Sequence, residues 1–379
     1  MTFEAKENGR IKYIGNEIFD PIEDIRKNSL SKNIENRVKH LKEDGFWSDL
    51  AKINNIIYRS TVDFFQEIGA KYTLLPLTTR MISSPGAAFG SEKIDYTQDT
   101  VPVKLDWFDH EKNMFLAESS QIYLELALVQ GDIDQVFSIY NSFRKEERDH
   151  THLPEFHHIE YEGEVKQERN EEIIEGLIKE ILGNVLAEGR ESLETFLTHE
   201  KITKLEKLKK DPVKKIEFEK ALELLKEDTG KDKYDEFTLE YFDDWEEVRL
   251  TELLSENGVK PIVCLREFPL LEVAFYHAPK DLDEENKRGI NADFIWPGYK
   301  ETVGSGQRIS DIEVLRKKAE IFNLPQEDYQ IYMRTRELEE YETTSGFGVG
   351  WERLLQGILD MPTITSCTHF PRCHKTLKP

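Results

Sequence analysis

The chain has 379 residues, a formal net charge of -23 at pH 7 and a pI near 5.0. A balance this acidic repels a phosphate backbone unless a local basic patch overcomes it, which weighs against a nucleic-acid partner. Three cysteines, no signal-peptide pattern and no run of about eighteen apolar residues point to a reduced, cytoplasmic chain without a membrane span.

In chain order, residues 1–33 are polar, with Gly9, Gly15 and Pro21, and read as an extended arm. Helices are expected over about 34–44 and 47–68; the second sets Leu50, Ile53, Ile57, Phe64 and Phe65 at helical spacing. Gly69 ends it, and a strand from Lys71 to Leu75 leads to Pro76. The small-residue run Ser83-Ser84-Pro85-Gly86-Ala87-Ala88-Phe89-Gly90 reads as a flexible lid. Phe143-Arg144-Lys145-Glu146-Glu147, a polar loop and His152-Leu153-Pro154-Glu155-Phe156 then suggest strand, loop and returning strand. An Arg at the strand end can fork onto a phosphate, a Glu two residues on points the same way, and Phe156 offers a ring face. Residues from about 166 to 228 are charged and helical in pattern, with Ile173, Ile174, Leu177, Ile178 and Ile181 in one stripe. In Ser345-Gly346-Phe347-Gly348-Val349-Gly350 alternate glycines clear one face of a strand for a planar ligand, and Arg353 opens the helix that follows. Cys367, His369, Cys373 and His374 fit no standard spacing of zinc ligands, and zinc is not expected.

The segments 143–160 and 345–354 together resemble motifs 2 and 3 of class II aminoacyl-tRNA synthetases. Phe115-Leu116-Ala117-Glu118-Ser119-Ser120-Gln121-Ile122-Tyr123-Leu124-Glu125, Glu301-Thr302-Val303-Gly304-Ser305-Gly306-Gln307-Arg308 and His369-Phe370-Pro371-Arg372 look like the aspartyl/asparaginyl branch of subclass IIb. The resemblance implies an α+β fold with an antiparallel sheet flanked by helices, in a homodimer joined through the helix and strand before Pro76. It divides the chain into an N-terminal arm with a short helix, 1–45, and a catalytic domain, 46–379, carrying the helical segment 166–228.

The same resemblance implies an ATP-dependent ligase that forms an aminoacyl adenylate. Arg144 would hold the α-phosphate and the substrate carboxylate, Glu146 the adenine amino group and His152 the γ-phosphate, with Phe156 and Arg353 sandwiching adenine. Glu301 and Asp293 would supply hard oxygens for Mg²⁺. Gln121 and Glu160, with Ser119, would meet the amino acid's α-amino group, and Arg308 its side-chain oxygen. Leu124 stands where aspartate-specific relatives carry Lys; Glu125 follows, which favours an amide over a carboxylate. Thr343-Thr344-Ser345 replaces the family's Pro-His-Gly, and the preceding Glu337, Glu339, Glu340 and Glu342 form either an acidic pocket rim or an exposed hairpin. The family places an anticodon-binding barrel of about a hundred residues before the catalytic core, and some 45 residues are available here. With the acidic charge this favours transfer to ammonia, a small amine or another non-tRNA acceptor, as in archaeal asparagine synthetases related to this branch. Charging of tRNA and a non-catalytic sensor of amino acid or nucleotide are the alternatives.

Overall fold

The computed structural model describes residues 37–43, 45–83, 97, 100–103, 114–145, 151–280, 288–361 and 363–372, and the backbone of 3–5, 11–13 and 16–17. Strands β1 (Phe3–Ala5), β2 (Ile11–Tyr13) and β3 (Asn16–Glu17) form a small antiparallel sheet, with Phe3 opposite Tyr13 and Lys12 opposite Glu17. Within the arm expected over 1–33 these three strands pair, and the rest of it lies outside the described residues. Their alternation of apolar and polar residues is too short to stand out from the polar residues around it. Helices α1 (Arg37–Glu43) and α2 (Gly45–Glu67) follow, and Gly69, at φ 90°, turns the chain into β4 (Lys71–Tyr72). Strands β5 (Thr78–Thr79), β6 (Val101–Val103) and β7 (Met114–Leu116) make a second small sheet ahead of α3 (Gln121–Ala127).

The long hairpin β8 (Gln135–Phe143) and β9 (Glu155–Gly163) leads into α4 (Gln167–Glu188), α5 (Arg190–Leu193) and α6 (His199–Lys210). Then come β10 (Lys214–Glu217), α7 (Phe218–Thr229), α8 (Asp244–Leu253), β11 (Val263–Arg266), β12 (Asn291–Ile295) and β13 (Glu301–Gln307). Helices α9 (Ile312–Ile321) and α10 (Gln330–Arg334) precede β14 (Ser345–Gly350), which runs straight into α11 (Trp351–Leu359). The expected all-helical stretch 166–228 is therefore interrupted: Pro212 cannot continue a helix, and β10 pairs in parallel with β11.

Eight strands form one sheet in the order β10-β11-β12-β13-β14-β9-β8-β4, antiparallel except for the outer pairs β10–β11 and β4–β8. Because side chains alternate across a strand, the central strands β9, β13 and β14 have one dry face and one facing the cleft. On the dry side α2 and α4 pack Ile53, Ile57, Phe65, Ile174, Leu177 and Ile181 against Tyr161, Phe347 and Val349, all buried. The expected helix over 47–68 thus fills its own chain's core, while Tyr58, Tyr72, Leu74 and Leu77 beside it stay exposed. Phe65 stacks on Phe137 at 4.6 Å, Tyr161 at 5.7 Å and Phe347 at 6.3 Å between ring centroids, joining three strands to one helix. Replacement Phe65→Ala leaves a cavity against a sheet that cannot collapse onto it. We expect a loss of about 3–5 kcal/mol in urea unfolding, and a loss below about 1 kcal/mol would show that this stack does not tie helix to sheet.

Candidate active site

The cleft face of the sheet is paved with glycine. Gly304 lies opposite Gly348, and Gly306 opposite Gly346, in the β13–β14 pair; Gly348 and Gly346 in turn face Glu160 and Glu162 in β9. Directly paired residues project to the same side, so charged groups lean into the space that absent Cβ atoms leave. A Cβ on Gly346 would stand 2.0 Å from Glu162 Oε2 and 2.4 Å from Gln121 Nε2. One on Gly304 would stand 2.8 Å from Glu301 Oε1 and 3.6 Å from Asp293 Oδ1. Over this floor lies a cavity of about 340 Å³, reached by Arg144, Phe156, Asp293, Glu301, Arg308 and Arg353 among others.

At one end sits a small polar pocket. Arg308, 1% exposed, donates from Nε to Glu162 Oε1 at 2.9 Å and from Nη2 to Oε2 at 2.6 Å, and its guanidinium lies 4.8 Å from the Tyr276 ring centre. Gln121 Nε2 donates to Glu162 Oε2 and to the Tyr161 carbonyl, both at 2.6 Å. Glu160 accepts from Ser119 Oγ at 2.7 Å and from Tyr140 Oη. Burial lifts the Glu160 carboxyl to about 7, against the lowering hydrogen bonds from Tyr140 and Ser119. Ser119, Gln121, Glu160 and Arg308 are thus gathered into one pocket.

The other end gathers guanidiniums and carboxylates. Arg144 follows β8, its N–H closing the hairpin onto the Pro154 carbonyl at 3.1 Å and its guanidinium 5.6 Å from the Phe156 ring centre. Arg144 Nε is buried and has no hydrogen-bond partner among the described residues. Arg353, in the first turn of α11, donates to the Glu301 carbonyl at 2.7 Å and lies 3.7 Å from Glu301 Oε2. Burial, then the Glu301 and Glu247 carboxylates, push the Asp293 carboxyl up; burial holds Glu247 at about 8. Two hard oxygen donors that repel one another over Gly304 fit Mg²⁺, which takes one or two protein carboxylates and completes its shell with water and phosphate oxygens. His152 Nε2 lies 3.3 Å from Lys300 Nζ at the cavity wall. Buried His158 has its pKa pushed far down by desolvation and by Arg144 and Arg353, so it stays neutral. Glu146 lies outside the described residues, as do 84–90 of the expected lid and both Cys373 and His374.

This geometry corrects one expectation and decides between two alternatives for another. Glu125 does not reach the cleft: its carboxylate is taken by buried Arg336, by Tyr332 Oη at 2.6 Å and by Tyr341 Oη at 3.2 Å. On a helix, a residue four positions after Gln121 keeps the same face but sits a turn deeper, where those partners enclose it. Glu339, Glu340 and Glu342 likewise line a separate groove with Glu125 and Glu164 rather than the cleft rim. The carboxylate beside Arg308 is Glu162, which the strand period already signals, since it follows Glu160 by two. Lys300, Glu247 and Tyr140 are further members without a comparable local signal; Glu352, which holds His157 Nδ1 at 2.5 Å, is another.

A cleft with guanidiniums and clustered carboxylates at one end and a small polar pocket at the other has the chemistry to join a polyphosphate to a small zwitterion. It makes an aminoacyl adenylate, and the protein is an ATP-dependent ligase of class II type. The family model of class II tRNA synthetases (D, K and N) matches residues 95–374, and the chain belongs to that family. An asparagine–tRNA ligase of Aeromonas hydrophila is 29% identical over 340 residues, covering 86% of this chain and 70% of that protein. One from Lactococcus lactis is 27% identical over 333 residues, covering 87% and 69%. In three dimensions, Pyrococcus horikoshii asparaginyl-tRNA synthetase complexed with asparaginyl-adenylate superposes with a TM-score of 0.79 at 24% identity, over 98% of this chain and 79% of that one. An Entamoeba histolytica aspartyl-tRNA synthetase gives 0.71 at 22%, over 93% and 64%. These relatives overturn the expected transfer to ammonia, an amine or another non-tRNA acceptor, because those matched in sequence are named as ligases of asparagine and tRNA. Among the described residues no helix is long and apolar enough to cross a membrane, and no group of three or more His, Cys, Asp or Glu could hold a metal ion.

Two tests follow from the site. Removing Glu125 strands the buried Arg336 charge, so Glu125→Ala should cost about 3–5 kcal/mol in denaturant unfolding. It should leave the asparagine-to-aspartate activity ratio unchanged, and an altered ratio in folded protein would return Glu125 to the pocket. Glu160 titrates in the opposite sense to a paired carboxylate. Its folded pKa of about 7 lies above the ordinary 4.5, so its stabilising contribution is complete below 4.5 and disappears as pH rises through 7. The melting temperature of the ligand-free protein should therefore fall from about pH 5 to 8 more steeply than that of Glu160→Gln; parallel curves would contradict it.

Proposed function

We propose that this protein activates asparagine with ATP and transfers it to tRNA. The reading is carried by the buried Arg308–Glu162 pair at the end of the amino-acid pocket. A guanidinium donates to a side-chain carbonyl oxygen while a carboxylate accepts from an NH₂, so the pair is complementary to an amide; a second carboxylate would meet Glu162 as a like charge. The relatives named as asparagine–tRNA ligases support the same choice.

In this reading Glu160, Ser119 and Gln121 hold the α-amino group and leave the α-carboxylate directed along the glycine floor toward Arg144. The carboxylate oxygen attacks the α-phosphorus, an O–P bond forms as the bond to pyrophosphate breaks, and Arg144 stabilises the charge that gathers on the α-phosphate. Phe156 and Arg353 enclose the adenine between them, His152 meets the γ-phosphate, and Glu146 takes the adenine amino group. Asp293 and Glu301 would hold Mg²⁺, which supplies neutralisation of phosphate charge. A ribose hydroxyl of the tRNA end then attacks the adenylate carbonyl, its proton is lost, and AMP leaves with the bonding electrons. A catalytic domain over 46–379, a cytoplasmic location and a homodimer that covers Tyr72, Leu74 and Leu77 go with this reading.

The test is amino-acid-dependent exchange of pyrophosphate into ATP across all twenty amino acids, followed by acylation of total tRNA. Asparagine should drive both. Arg144→Ala and Arg353→Ala should each lower exchange by about 10²-fold or more with the circular dichroism spectrum unchanged. Full exchange in either folded variant, no asparagine dependence, or exchange without acylation would each overturn the corresponding step.

A further inference from the structure

The glycine floor has a second tenant beside the amino-acid pocket, and nothing in the activation chemistry above uses it. His277 covers Gly306: a Cβ there would stand 2.7 Å from both Cδ2 and Nε2 of the imidazole. Gly306 is the direct partner of Gly346, the glycine covered by Glu162 and Gln121, so the imidazole and those two head groups stand on one face of adjacent strands. His277 also faces Arg308 across an isolated antiparallel bridge, framed by Ala278 N–H to the Gln307 carbonyl at 2.8 Å and Ile309 N–H to the Tyr276 carbonyl at 2.9 Å.

The ring is held in place from behind. Buried Lys318 donates from Nζ to the carbonyls of Ala274 and His277, both at 3.1 Å, and His277 N–H returns to Ala274 O at 3.0 Å. That pins the turn carrying the side chain. His277 Nδ1 is nonetheless buried without a hydrogen-bond partner among the described residues, while the residue lines the cleft. A buried polar atom left unpaired on a rigid turn is a group that something entering the cavity can satisfy. Burial, with the nearby Arg308 and Lys318 charges, pushes the imidazole pKa far down, so the ring is neutral and can either donate or accept.

We propose that His277 is a specificity-determining contact for the amino-acid side chain, closing the pocket on the side away from Gln121 and hydrogen-bonding the substrate's terminal amide. This rests on the asparagine reading above. It adds to it that the amide is read by three groups, Arg308, Glu162 and His277, and that the third sits on a loop rather than on the sheet.

The experiment measures pyrophosphate exchange in wild type, His277→Met and His277→Asn. Methionine fills the volume without a hydrogen bond, and asparagine keeps a polar group near the Nδ1 position. His277→Met should raise KM for asparagine about tenfold with KM for ATP unchanged and should lower the asparagine-to-aspartate ratio of kcat/KM; His277→Asn should recover part of both. In the wild-type protein, the imidazole ¹⁵N resonance of His277, assigned through its side-chain and backbone correlations in the wild type itself, should shift on adding asparagine and not on adding ATP alone. An unchanged KM and ratio in a His277→Met protein that still binds ATP, or a resonance indifferent to asparagine, overturns the proposal. The resonance test uses wild type and so decides the matter even where the variants fail to fold. Wild-type exchange driven by another amino acid would instead refute the asparagine reading, and the His277 variants would then be scored on that amino acid's KM.

Discussion

Missing Cβ atoms on two adjacent strands are the constraint on which the whole site depends. Gly304 and Gly306 in β13 and Gly346 and Gly348 in β14 pair with one another, so a patch two residues wide and two deep has no side chains of its own. Their neighbours in the strands do the opposite work: Val303, Phe347 and Val349 point to the dry face and are almost fully buried there. Packing on one face fixes the backbone, and emptiness on the other lets carboxylates, an amide and an imidazole converge over it. Glycine is a poor strand former in isolation, so this patch persists because the core behind it is dense.

Convergence of like charges then sets the electrostatics. Asp293, Glu301, Glu247 and Asp244 share a few residues' width of sheet and helix, and only Lys300 and Arg353 stand among them as cations with described contacts. Asp293, Glu247 and Asp244 respond by moving up from the ordinary range, the expected behaviour of buried groups lacking a full counter-charge. A site left in this state costs stability and is relieved by a ligand that brings cation and phosphate together, so binding affinity and folding cost are two readings of the same repulsion. At the amino-acid end the charges are matched instead. Arg308 pairs with Glu162 and Arg336 with Glu125, so these buried charges are matched where those at the other end are not.

Much of this was legible from residue order alone, and the reasons for the failures are physical. Arg144, Phe156, Glu301, Arg308 and Arg353 each sit at a strand end or helix start, where local geometry dictates direction, and the fold brings them to one cleft. Glu125 misled because helical spacing from Gln121 gives the face but not the depth, and depth was decided by Tyr332, Tyr341 and Arg336 from more than two hundred residues away. His277 and Lys300 carry no local pattern at all: their roles come from which glycine they cover or which carboxylate they meet across the sheet. The strand at 214–217 was masked by its lysines, since an edge strand tolerates charge that an interior strand would exclude.

The error over the acceptor came from treating charge as a property of the whole chain. A net charge of -23 describes an average, whereas a polyanion approaching at physiological ionic strength senses charges within a screening length of about 8 Å. The carboxylates here are not evenly spread; several are buried in the cleft, and others, such as Glu339 and Glu340, are drawn together in one groove. Elsewhere exposed cations cluster locally: the last turn of α6 presents Lys207, Lys209 and Lys210, all exposed. Mean composition can exclude a protein that coats nucleic acid along its length, because such binding needs positive potential everywhere. It cannot exclude an enzyme that brings one end of a nucleic acid into a cleft, because that requires only the local field at the entrance and the guanidiniums within.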